Sequence, residues 1–157
     1  HKTMANSQAL CTSFKVEILN GHHAFGTSVT RGATTPDSFK AALYLASASL
    51  GAGTTAYSAT GEVSGTNYSA GGVDLTGAQD WQAPSSTGTT AFSTPTANIV
   101  FTNVTLSTAF DAVLIYNSTQ SNKAVCVLTF GSQTITAGTF TLTMPTNDST
   151  NALVRLA

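Results

Sequence analysis

Charge is what this sequence has least of. Of its 157 residues only 8% are Asp, Glu, Lys or Arg, against about 25% in an ordinary soluble domain, and the formal net charge is −1. Without a basic stripe or polybasic patch, nucleic acid and anionic membrane surfaces lack the electrostatic footprint that would recruit them. Long hydrophobic runs are missing as well. A run such as Ala112 to Tyr116 is far short of the roughly 20 residues of a membrane helix, and no basic segment followed by an apolar one marks a secretory signal. Cysteine is scarce: Cys11 and Cys126 stand alone, too few for a disulfide framework, so two free thiols are expected, with a bridge as the alternative.

The motifs of catalysis are also wanting. There is no Gly-x-Ser-x-Gly elbow, no Gly-x-x-x-x-Gly-Lys phosphate loop, no Cys-x-x-Cys and no His-Glu-x-x-His. His22 and His23 are adjacent but lack a third ligand, so they are expected to be solvent-facing loop residues and no metal site is expected. The acids are scattered singly. A Glu62 and Asp80 pair doing glycosidase-type work, or two of Glu62, Asp74, Asp80 and Asp111 meeting in a hydrolase pocket, is the enzymatic alternative. The expectation is no catalytic residue, no cofactor and no metal.

What the chain does have is about 45 serines and threonines, which carry solubility in place of charge, and β-periodicity. Asp111–Tyr116 and Ala124–Phe130 are dense in Val, Ile and Leu and flank the polar Asn117–Asn122. They predict a hairpin covered on both faces. After Gly131, Ile135, Phe140, Leu142 and Met144 alternate with Thr134, Thr136, Thr139, Thr141 and Thr143 across a turn or bulge at Ala137-Gly138, which predicts a strand with one wet face. Further strands are expected at Phe39–Leu45, around Val73–Leu75, at Thr96–Ser107 with a bulge or switch of face at Thr102-Asn103, and at Ala152–Leu156. Leu10, Phe14, Ile18 and Leu19 recur at helical spacing, predicting one helix from Ser7 to Leu19, ended by Gly21. Ala46 to Ser93 is rich in Gly, Ser, Thr and Ala and is expected to be long loops around short strands, with a turn at Pro84-Ser85.

The expected fold is mainly β: an antiparallel β-sandwich or jelly-roll-like barrel with one short N-terminal helix and long Gly/Ser/Thr-rich loops. One domain is expected over residues 4–157, with His1-Lys2-Thr3 resembling an expression-tag remnant.

Several runs carry a family likeness. Phe39-Lys40-Ala41-Ala42-Leu43-Tyr44, the stretch Tyr57 to Gly72, Ala112 to Ser118, and Phe140-Thr141-Leu142-Thr143-Met144-Pro145 resemble small proteins encoded in the structural-gene regions of tailed bacteriophages and prophages. The resemblance covers the chain from about Ala5 to its end. It implies a virion location, after assembly in the bacterial cytoplasm, and a non-enzymatic structural role. A capsid decoration or cementing protein bound to the major capsid protein is the leading form, and a tail, neck or fibre component the alternative. Low charge favours homo-oligomers. Leu10, Phe14 and Ile18 are candidate partner contacts on an N-terminal arm, against the alternative that their helix packs on its own sheet. Tyr57, Tyr68 and Trp81 are candidate loop contacts. In a rival carbohydrate-binding module these three rings would stack on sugars, with Trp81 the discriminating residue; the simpler expectation is that they pin loops to the sheet.

Overall fold

The computed structural model describes residues 5–19, 21–28 and 35–157. The chain is antiparallel β with one short helix. A five-stranded sheet runs in the order β1 (Ala9–Leu10), β7 (Lys123–Leu142), β6 (Ile99–Asn117), β2 (Phe39–Leu45), β3 (Val73–Asp74). A second sheet has β5 (Thr90–Ser93) between β4 (Ser85–Thr87) and β8 (Val154–Leu156). The helix α1 spans Thr12–Leu19, and one 3-10 turn spans Gly77–Gln79. No helix among the described residues is long and apolar enough to cross a membrane.

The centre of the molecule is the β6–β7 hairpin, whose strands have 19 and 20 residues. Thr96–Ser107 and Asp111–Tyr116, expected as separate strands, fuse into β6. The bulges expected from sequence are present. Between the pairs Phe101↔Phe140 and Val104↔Gly138, β6 has an extra residue near Asn103 (φ 49°); between Val104↔Gly138 and Leu106↔Ile135, the extra residue is in β7 near Ala137 (φ 44°). Such irregularities bend strands, and the bend here is large. Phe130 and Phe140 would be about 33 Å apart on a straight strand, yet their rings lie 4.8 Å apart. Phe110 packs edge-on against both. The hairpin therefore folds over on itself and supplies both sides of its own aromatic core.

The half of the hairpin nearer the turn, which we call proximal, pairs with β2 from Phe39↔Asn117 to Leu45↔Phe110. Ala112–Tyr116 and Ala124–Val127 are buried throughout, which requires cover on both faces. Facing residues of paired strands share a face and neighbours alternate. Phe39 and Asn117 thus lie on one face, and Lys40 and Tyr116 on the other. The first face carries Trp81, Phe25 and Phe14 in successive edge contacts over Phe39. The second is covered by the segment 54–72, held by Val63 N–H to Leu43 O (3.0 Å), Leu45 N–H to Gly61 O (2.8 Å) and Ala124 N–H to Thr55 O (3.0 Å). At Gly72 (φ 85°) a Cβ would collide with the carbonyl oxygen of Ala41, so only glycine permits this close approach.

Two local expectations need correction. The helix does not begin at Ser7: Ala9 and Leu10 are extended and pair with Val127 and Cys126. Backbone groups on the edge of β7 capture them, overriding their apolar spacing. The Pro84-Ser85 signal marks the start of β4 rather than a turn; the turn lies at Gly88-Thr89, between the paired Thr87 and Thr90, where Gly88 has φ 60°. That hairpin is made of Ser, Thr, Ala and Phe and lacks the apolar density that reveals a core strand. Gly21 ends α1 as expected, with φ 80° and its N–H bonded to Ile18 O at 3.0 Å.

Candidate functional site

Glu62 stands at the centre of a cluster of tyrosines. Its side chain accepts hydrogen bonds from the Tyr57 hydroxyl (2.6 Å), the Tyr68 hydroxyl (2.7 Å) and the Gly71 N–H (2.9 Å). The other two of the four tyrosines complete the cluster. Tyr44 donates to Ser58 O and Tyr116 to Gly71 O, both at 2.6 Å, and the Tyr57 ring stacks on Tyr116 at 4.9 Å. Burial, with the Glu62 charge adding to it, pushes the Tyr57 hydroxyl up to about 12, and burial raises Tyr44, Tyr68 and Tyr116 as well. Every hydroxyl is thus a protonated donor at neutral pH. The cluster pins the loop to the sheet and leaves Glu62 with its strong acceptor positions engaged.

A second polar cluster lies on the opposite face. His23, expected in solvent, is 7% exposed and edge-on to Phe14 at 4.7 Å. Its positive φ of 62° turns the ring inward, where both nitrogens find partners. Asn117 Nδ2 donates to His23 Nδ1 (3.0 Å), so Nε2 carries the proton and donates to Glu17 (2.9 Å). Asn117, fully buried, also donates to Asp37 (2.8 Å) and accepts from the N–H groups of Thr119 and Gln120, tying the hairpin turn to the 37–39 entry strand. Burial lowers the His23 pKa and outweighs the opposing pull of Glu17. Burial raises Asp37, but bonds from Asn117, the Ala24 N–H and Gln120 outweigh it and leave the net shift downward. This is a neutral histidine serving as a structural strut.

The residues singled out from sequence are distributed as follows. Phe14 is fully buried and Ile18 packs partly buried against the core, so α1 lies on its own domain. Leu10 sits on β1 and lines an open cleft of about 490 Å³ with Cys126, Leu128, Leu142, Met144 and Leu153. Trp81 is 1% exposed, on the face opposite Tyr57. Tyr68 lies over Phe101 at 6.1 Å, so the three rings form no common platform. Among the acids, Asp74 pairs with Lys40 at 3.5 Å, Asp111 accepts from Asn6 at 2.6 Å, and Asp80 accepts from the Trp81 N–H at 2.7 Å. Glu62 lies in the tyrosine cluster, whereas Asp80 is bonded to the N–H of Trp81, which packs over the other face, so the two acids are held by separate partners. Cys11 and Cys126 are free and buried; burial, helped by Glu17, pushes the Cys11 thiol up to about 11, and burial raises Cys126, which leaves both as inert thiols. Among the described residues no group of His, Cys, Asp and Glu could hold a metal.

The wet threonine face expected after Gly131 is present, and the exposure reaches further than the alternation predicts, since Gly131–Thr134 are all exposed. The half of β7 nearer the open end of the hairpin, which we call distal, exposes Gly131, Ser132, Gln133, Thr134, Thr136, Ala137 and Thr139. No Asp, Glu, Lys or Arg occurs between Lys123 and Asp148. The signal lay in the threonine alternation, but nothing in it says which edge of the strand is left unpaired.

No family model, no curated protein and no solved structure matches the chain.

Proposed function

We propose that the chain is a non-enzymatic structural component of a virus particle, in its most concrete form a decoration protein seated on the major capsid protein lattice. The observation that carries the reading is how the reactive side chains are used. Glu62, His23, Asp37 and both thiols are engaged in holding the fold, while the distal half of β7 presents a neutral, threonine-rich exposed surface. Such a surface is suited to burial against another protein, because desolvating hydroxyls costs far less than desolvating charges. The likeness of the Tyr57–Gly72 and Phe140–Pro145 runs to phage structural-region proteins supplies the particle.

Quantitative mass spectrometry of purified particles, followed by addition of the protein to undecorated shells, tests this reading. Many copies per particle, with bound shells surviving a higher temperature, are expected, since a ligand of the assembled state stabilises it by mass action. A few copies at one vertex would shift the role to tail, neck or fibre, and absence from particles would overturn the reading.

A further inference from the structure

The two ends of β7 differ in what meets their outer backbone edge. From Ala124 to Thr129 that edge is fully occupied. Ala124 N–H bonds Thr55 O, Val125 O accepts from Cys11 N–H (3.1 Å), Cys126 and Val127 pair with β1, and Thr129 N–H bonds the Gln8 side-chain oxygen (2.9 Å). From Phe130 to Leu142 no strand lies on that side among the described residues. Gln133 folds its own amide back to Gly131 O (3.3 Å); the N–H of Ala137 turns the other way, to the Thr105 hydroxyl on β6. A Cβ built at Gly131 would meet nothing.

An open edge of this length is a template for another strand, and monomeric proteins blunt such edges with lysine, proline or inward-pointing charge. This one has no charge and no proline before Pro145; register irregularities between Thr129 and Gln133 and near Ala137 interrupt it, leaving Gln133–Thr136 and Thr139–Leu142 as its regular stretches. We propose that the distal edge of β7 pairs antiparallel with the same edge of a second copy, joining two sheets across a two-fold axis.

A second copy is the occupant because an isologous contact sets a segment against itself. A charged edge would then face its own charge, and charge is what this edge lacks. Its exposed face repeats threonine at 134, 136, 139 and 141, so antiparallel pairing sets threonine beside threonine, a favourable cross-strand pair. The inference does not rest on the virion reading, since it concerns the chain alone.

The test is native mass spectrometry of the intact protein over a concentration series up to tens of micromolar. The wild type is expected as a dimer or an even-numbered assembly. Thr134→Lys with Thr136→Lys should return it to monomer with an unchanged circular dichroism spectrum, as should the corresponding Glu pair, and an equal mixture of the two variants should restore a mixed dimer. Thr136→Lys alone serves if the double variant fails to fold. A monomeric wild type, a Lys variant that keeps the wild-type mass, or a mixture of folded variants that stays monomeric would overturn the proposal.

Discussion

The two halves of the β6–β7 hairpin share one ladder of backbone hydrogen bonds but differ in nearly everything else. The proximal half, Ala112–Tyr116 with Ala124–Val127, is buried on both faces and along both edges. The distal half of β7, Gly131–Thr139, exposes most of its side chains and has no strand on its outer edge among the described residues. Strand formation and stability are therefore separate matters here. Strand pairing runs through both halves, broken only by bulges, whereas the apolar surface removed from water is concentrated at one end.

The comparison breaks most visibly under substitution. Leu114→Ala, at a fully buried side chain, should cost about 2–5 kcal/mol through lost burial and a residual cavity. Thr134→Ala, on the exposed strand, should fall within about 0.5 kcal/mol of wild type. Urea unfolding followed by intrinsic fluorescence measures both, and equal losses would remove the distinction.

A next, smaller effect is expected at the Glu62 cluster. Glu62→Gln replaces one acceptor oxygen with an amide that turns donors toward donors. It should cost about 1–3 kcal/mol, and limited proteolysis should cut first within residues 54–72 as that segment loosens. Cleavage elsewhere, or no loss of stability, would show that the tyrosines hold the loop without the carboxylate.

The smallest effect is a pH dependence from the second cluster. His23 has a pKa below its ordinary 6.5, so the unfolded chain binds the proton more readily than the folded one. The contribution is complete above that ordinary value and is lost as pH falls through the lowered folded value. Asp37, shifted below 3.8 by its bonds, adds a further loss below that pH as its carboxylate protonates. In His23→Gln the first decline should flatten while the Asp37 decline remains, as read from thermal midpoints across the acid range.

The strands legible in the sequence were those whose side chains alternate or crowd by burial. Phe39–Leu45 and the two arms around Asn117–Asn122 have enough Val, Ile, Leu and Phe to declare themselves, and Asn103 and Ala137 sit where the alternation breaks. The β4–β5 hairpin was not legible because Ser85–Thr87 is exposed throughout and has no apolar face to betray a period. Ala9–Leu10 misled for the opposite reason: its apolar spacing suits a helix, but the deciding partner is β7, more than a hundred residues away. Glu62 was visible as an acid, whereas its tyrosine cage is assembled from β2, β6 and one loop. His23 is the loop residue expected, but it looked solvent-facing because its inward turn depends on a single backbone angle.

The central claim, that the proximal half carries stability while the distal edge of β7 carries association, is tested most directly by amide hydrogen exchange along β7 at a low and a high protein concentration. The account predicts slow, concentration-independent exchange at Val125–Val127. It predicts fast exchange at the outward amides between Gly131 and Leu142 in dilute protein, slowing as concentration rises. Exchange in the distal segment that is the same at both concentrations would contradict it.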